Sequence, residues 1–336
     1  MIIDRKDSIP AIGIVLNFFG KKLLRLIVVI LAVTALTFLM INLLPGDAAV
    51  TNAGIGATLA EVEKIREDLG LNKNVFVRYS LWLADAAQGR LGHSIITDEP
   101  VLEAISHRLP VTIELMIISQ ILALMLAVPF GIVSAYKSGT SIDKTINTLA
   151  FSVMSVPTFV MALLLIFAFS LKLNWLPATG YISFSDGFWR NANSFLLPGF
   201  SIALVEWGYL MRILRSDMIA TLQEDYILMA KSKGLPTFYI LFKHALRPSC
   251  FTLITILGIQ VGHLIGGAVI VENIFALPGI GSLFISSIFA RDYPMVQGCI
   301  LLIAIAYVLI NFFVDILYSF LDPRIRFQNK TLVSNG

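Results

Sequence analysis

The chain has 336 residues, 57% hydrophobic and 14% charged, with a formal net charge of +3 and a mean hydropathy of +0.82. A soluble domain carries about 25% charged residues, so an ordinary soluble protein is excluded. So small a net charge gives a nucleic-acid partner no support. The apolar residues fall in runs long enough to cross a bilayer, and the predicted class is an all-α, polytopic membrane protein with six transmembrane helices.

Residues 1–22 form a predicted cytoplasmic N-terminal segment, ending in Lys21 and Lys22. The first apolar run, 23–44, is longer than the roughly 7–15-residue core of a signal peptide. Pro45-Gly46-Asp47 follows it where a small-residue cleavage site would stand. An uncleaved first transmembrane helix is therefore expected. Segment 45–110 is too long for a mere connection and is predicted to be an external helical subdomain. Thr58 and Glu61 make a capping box. Leu59, Val62, Ile65 and Leu69 form an apolar stripe, with Gly70 placed for the C-terminal cap. Phe76, Tyr79 and Leu83 make a second stripe. This subdomain either covers helix ends or meets an external partner.

Five further spans are predicted at 111–135, 146–171, 195–214, 251–271 and 296–321, giving a five-helix core over 111–321. Pro129 and Pro157 are expected to kink the second and third spans. Gly258, Gly262 and Gly266 share one face of the fifth, which predicts a close helix contact within the subunit or across a dimer. A cytoplasmic tail, 322–336, is expected to be disordered. Of the 25 Lys and Arg residues, sixteen fall in segments on the N-terminal side of the membrane and nine in the longer opposite segments. The positive-inside rule then places both termini, and the loop 217–247, in the cytoplasm.

That loop is polar and basic between two greasy runs. Tyr226, Met229, Ala230 and Lys233 stand at helical spacing on one side. Ala230 is small enough for close approach. Gly234 and Pro236 then stop the helix. The pattern predicts a short amphipathic helix that either fills a groove on a partner or lies on the membrane surface.

Two ionisable residues fall inside spans, Glu206 in the fourth and His263 in the fifth. They either line a polar route or satisfy each other or the backbone. Glu114, Asn311 and Asp315 lie nearer span ends and read as ordinary polar contacts. Trp82, Trp175, Trp189 and Trp207 mostly suit membrane interfaces. Cys250 and Cys299 read as small buried hydrophobes, with no disulfide framework and no metal-ligand spacing. His93, His107, His244 and His263 are scattered, so no metal site is read. No Gly-x-x-x-x-Gly-Lys-Ser/Thr run occurs, no nucleophile–base constellation is arguable, and no cofactor is called for. The chain is read as a non-enzyme.

Glu224-Asp225-Tyr226-x-x-x-Ala230-x-x-x-Gly234 resembles the EAA loop of bacterial ABC-importer permeases. Further patches extend the likeness to the oligopeptide/dipeptide/nickel branch over nearly the whole chain. They are Leu43-Leu44-Pro45-Gly46-Asp47, Gly89-x-Leu91-Gly92-x-Ser94, Arg108-Leu109-Pro110-x-Thr112-x-Glu114-Leu115, and Lys233-Gly234 with His244-Ala245-Leu246-Arg247. Val271-Glu272, Phe275-x-x-Pro278-Gly279-x-Gly281, Arg291-Asp292-Tyr293-Pro294 and Leu321-Asp322-Pro323-Arg324 complete the set. The chain departs from the branch at Arg90, Leu228, Ser232 and Pro248, and has Asp225-Tyr226-Ile227 where the general loop has Glu-Ala-Ala.

The resemblance implies one transmembrane subunit of an importer in the bacterial inner membrane. Implied partners are a second, similar permease, two cytoplasmic ABC ATPases and an external solute-binding protein, within the lipid bilayer. It implies ATPase coupling through Glu224, Asp225, Tyr226, Met229, Ala230, Lys233 and Gly234. A short peptide is the expected cargo, with nickel or a metal–metallophore complex as the alternative. The rival class, a stand-alone secondary transporter or channel, leaves the basic loop unexplained and finds no internal repeat.

Overall fold

A computed structural model describes residues 20, 24, 26–40, 48–53, 57–68 and 70–321. Most of the N-terminal segment, the 43–47 motif, Leu69 and the tail 322–336 lie outside the described residues. Among the described residues there are helices and helical turns but no strand, and one isolated bridge joins His93 to Pro100. The chain divides into two compact units, residues 1–105 with 286–308, and 106–285 with 309–336.

The first unit holds α1 (Leu26–Met40), α2 (Ala48–Ala53), α3 (Leu59–Asp68) and α4 (Val75–Ala87). The expected capping box forms. The Thr58 N–H donates to Glu61 Oε2 at 2.8 Å, and the Glu61 N–H donates to Thr58 Oγ1 at 3.4 Å. The backbone donor, then the hydroxyl, hold the Glu61 carboxyl below its usual range. Gly70 takes the expected left-handed conformation, φ +61°. Asn74 caps α4 by accepting from the Phe76 N–H at 2.9 Å.

Each apolar stripe exposes its first residue. Leu59 is 90% exposed and Phe76 is 78% exposed. The packing side of α4 is Tyr79, from the expected stripe, together with Trp82, and their rings stack. Tyr79 meets α1 edge-on at Phe38, and its hydroxyl lies 3.0 Å from Thr34 Oγ1 and donates to the Leu31 carbonyl at 3.1 Å. An amphipathic ring that finds hydrogen-bond partners outcompetes a bare phenyl for this contact. A second knot joins sequence-distant motifs. Ser94 Oγ donates to the buried Asp292 carboxylate, which also accepts from the Ile95 N–H at 3.2 Å.

From the first unit, α5 (Val101–Tyr136) continues into the second. There follow α6 (Ser141–Met154), α7 (Thr158–Leu165) with a π-helical extension Ile166–Lys172, and α8 (Phe188–Leu222). Then come α9 (Asp225–Ser232), α10 (Thr237–Tyr239) running into a π-helical turn Ile240–Ala245, α11 (Leu246–Ile274), α12 (Ile280–Ala290) and α13 (Tyr293–Leu321).

Four described helical stretches are long and apolar enough to cross a membrane: Val101–Tyr136, Phe188–Leu222, Thr237–Ile274 and Tyr293–Val314. The predicted third span is a bent pair, α6 and α7, meeting at 100°. Pro157 sits at that break, as expected, whereas α5 runs through Pro129 without interruption. Neighbouring helices re-satisfy the backbone group that an intramembrane proline frees.

α8 is the central helix. Two thirds of its apolar window (67%) is buried, against 22–28% in the other three long spans. Small residues bring its neighbours close. A Cβ on Gly208 would stand 3.0 Å from the Ala150 carbonyl of α6, and one on Gly131 would stand 3.0 Å from Leu214. Trp207, read from sequence as an interface tryptophan, is instead buried in α8 against Phe130.

Candidate functional site

Of the predicted loop 217–247, the end of α8 takes 217–222 and helical turns leading into α11 take 237–247, and between them α9 is a short helix with a defined stop. Glu224 enters with an extended backbone, φ −69° and ψ 147°, and Asp225 occupies the first turn of α9. An acid there meets the positive end of the helix dipole. At the other end Gly234 has φ +76°. Its N–H donates to the Lys231 carbonyl at 2.9 Å, while the Leu235 N–H reaches the Ala230 carbonyl at 3.3 Å. These two bonds are the Schellman closure that glycine permits, and Pro236 bars continuation.

One expectation is corrected. Ala230 does not offer its small surface to a partner: it is 6% exposed and packs with Ile227 and Ile240, flanked by Leu222 and Leu235. The helix is short, so its two apolar residues one turn apart are needed to hold it to its own subunit. Tyr226, Met229 and Lys233 keep the outward side, with Leu228 also exposed. Tyr226 donates to the His244 carbonyl at 3.3 Å, tying α9 to the turn that follows. That turn exposes Phe238 and Phe242, whose rings lie 4.3 Å apart. Their i, i+4 spacing after Pro236 was the available signal, and sequence reading passed over it. Beside α9 opens a cavity of about 520 Å³, lined among others by Tyr136, Gln223, Lys231 and Leu235.

A polar cluster missed in sequence joins α5, α6 and α8. Arg215 Nε donates to Asp143 Oδ1 at 2.7 Å, and its Nη2 donates to Oδ2 at 2.7 Å. Asp143 also accepts from Ser134 Oγ at 2.5 Å, the Gly139 N–H at 2.8 Å and Asn147 Nδ2 at 2.7 Å. Arg215 stands in the sequence beside Arg212, just before the basic loop, where nothing marks it from its neighbours.

Glu206 and His263 are not paired. Glu206 Oε2 is buried on α8 with no hydrogen-bond partner. His263 is exposed on α11, between buried Gly262 and Leu264. It shares its exposed side with Thr252, Ile259, Gly266, Ile270 and Asn273. The glycine face of this helix splits accordingly. A Cβ on Gly258 would overlap Val314 of α13, an intrasubunit contact, whereas Gly266 meets nothing.

The buried Glu272 explains several motif residues at once. Its carboxylate accepts from Thr112 Oγ1 at 2.6 Å and from the Gly281 and Ser282 N–H groups at 2.7 and 3.1 Å. The Ile280 N–H donates to Thr112 Oγ1 at 2.9 Å. Glu272 and Thr112 thus cap the N-terminus of α12 from outside the helix. Cβ atoms on Gly279 or Gly281 would overlap the Glu272 carboxylate or the α11 backbone. These motif residues are a structural clasp. Cys299 is buried and Cys250 half-buried, and neither is in a disulfide.

Two family models match. Residues 127–327 match the binding-protein-dependent transport system inner membrane component, and residues 15–116 match the N-terminal region of such membrane components. A putative peptide transport system permease protein of Brucella abortus is 41% identical over 92% of this chain and 98% of its own length. The oligopeptide transport system permease protein AppB of Bacillus subtilis is 37% identical over 91% of this chain and 98% of its own. The glutathione transport system permease protein GsiC of Pectobacterium atrosepticum is 37% identical over 93% and 100%. A solved amino acid ABC transporter with histidines superposes at a TM-score of 0.48 and 15% identity, over 66% of this chain and 94% of that one, too distant to add to the argument. With the family model spanning well over half of its length, and relatives of this identity end to end, the chain belongs to the inner-membrane components of binding-protein-dependent transport systems.

Proposed function

We propose that this chain is one of two permease subunits of an ATP-driven importer of short peptides, and that α9 is its contact with a cytoplasmic ABC ATPase. The observation that carries the reading is the outward Tyr226–Met229–Lys233 side of α9, held by a buried Ile227–Ala230 seat and closed by Gly234. Exposed apolar residues on a helix outside the spans mark a protein contact. Glu224 and Asp225 set the start of this contact helix. Six spans are assigned: α1, the four long stretches, and the bent α6–α7 pair. The termini and the 217–247 loop face the cytoplasm on the basic-residue bias. Segment 45–110 is external, where a solute-binding protein delivers cargo.

Peptide cargo is favoured over nickel or a metallophore because the relatives are named for peptides, oligopeptides and glutathione. A stand-alone channel is set aside by the family. The Thr252–His263–Asn273 side of α11 carries polar groups that lipid would penalise, so it is assigned to the translocation path. Glu206, whose Oε2 is buried without a partner in this conformation, is assigned to the path in the alternate state, where cargo or a shifted helix satisfies it.

The test is reconstitution with the second permease, the ATPases and the binding protein in proteoliposomes. ATP-dependent uptake of a labelled tripeptide is expected. Uptake of chelated nickel with no tripeptide uptake would overturn the cargo assignment. Transport without ATPase would overturn the class.

A further inference from the structure

We propose that the Asp143–Arg215 fork is the joint that transmits displacement of α9 to the bent α6–α7 span, making Arg215 a positioning residue for coupling. The inference rests on the importer reading above. Three observations support it.

The first is a rigid connection. Leu222, the last residue of α8, packs on the Ile227–Ala230–Ile240 cluster that seats α9. Arg215 lies seven residues earlier on the same helix, about 10 Å along its axis. A push on α9 therefore arrives at Arg215 through two turns of helix.

The second is the fork itself. Two parallel bonds of 2.7 Å fix the rotation of the Asp143 carboxylate about the guanidinium as well as their separation. Asp143 is in the first turn of α6, with its side chain 5% exposed. Its remaining bonds go to Ser134 at the end of α5, to the Gly139 N–H and to Asn147. One carboxylate thus ties the end of α5 and the start of α6 to α8 two turns before its end, and α6 leads directly from it to the 100° bend at Pro157.

The third is redundancy of adhesion. Apolar packing already joins these helices through Ala127, Ile132, Ile146, Leu210 and Leu214. A buried ion pair adds little net stability over an apolar isostere. What it adds is directional stiffness, which apolar packing lacks and a lever requires.

Arg215→Lys keeps the charge and loses the fork. Asp143→Glu keeps the charge and lengthens the arm. In the reconstituted complex, ATP hydrolysis and tripeptide uptake are measured on the same vesicles, with subunit abundance and ATPase copurification as controls. Both variants are expected to assemble and to hydrolyse ATP within about twofold of wild type, while peptide moved per ATP falls at least fivefold. A ratio within twofold of wild type in either assembled variant overturns the proposal. So does loss of the assembled complex in both, since the pair would then be a folding element. Failure of the importer reading shows separately, as absent ATP-dependent uptake in the wild-type control, and it removes the joint with it.

Discussion

Met229 and Ala230 are neighbours on α9 with opposite fates, and substitutions should separate them. Ala230→Arg drives a long charged side chain into the Ile227–Ile240 seat and is expected to lower membrane abundance. Met229→Glu changes an outward residue. It should insert normally, lose ATPase copurification and abolish uptake. Immunoblots of membranes beside pull-downs check this, and equal loss of abundance in both variants would return Ala230 and Met229 to one face.

Glu206 and His263 make a second pair. Sequence reading left open that they satisfy each other, but Glu206 Oε2 is buried alone and His263 is exposed. Effects of Glu206→Gln and His263→Leu on thermal stability in detergent should therefore add to within about 0.5 kcal/mol. A coupling above about 1 kcal/mol would show that they touch.

Among the elements, α12 depends on others for its capping. Its first N–H groups are satisfied by Thr112 and Glu272, which come from α5 and α11. Gly281 is the least yielding point of this clasp, because a Cβ there would strike the α11 backbone as well as Glu272. Gly281→Ala is expected to cost about 1–3 kcal/mol by overpacking, read as an earlier melting transition of the purified subunit. Gly266→Ala, on the same α11 but facing open space, should melt as wild type does. Equal shifts for the two would mean that helix propensity, not the clasp, governs. The motifs Thr112, Glu272 and Gly279-x-Gly281 were legible as a family signature. Their shared purpose was not, because the spacing between residues 112 and 272 carries no information about distance in space.

At the level of the whole molecule, orientation follows from where cations are left during insertion. Ser80 on α4 and Gln223 at the end of α8 are both exposed. In a variant lacking Cys250 and Cys299, a cysteine at position 80 should react with an impermeant maleimide in intact cells, and one at 223 only after permeabilisation. The reverse pattern would overturn the assignment of inside and outside.

The helical class, the long spans and the α9 stop could be read from the chain because each rests on local properties. Apolar run length, capping residues at fixed spacing and a glycine before a proline all act within a few residues. The family was legible too, since its motifs are linear. Three things were not. Ala230 turned inward because its neighbours Leu222 and Leu235 close around it. Asp143 and Arg215 are 72 residues apart, and only the crossing of α6 and α8 brings them together. Glu206 and His263 both lie within apolar helices but point differently, and the rotation of each helix about its axis is decided by packing around the central α8. Those side-chain partnerships are long-range, and tertiary structure alone assigns them.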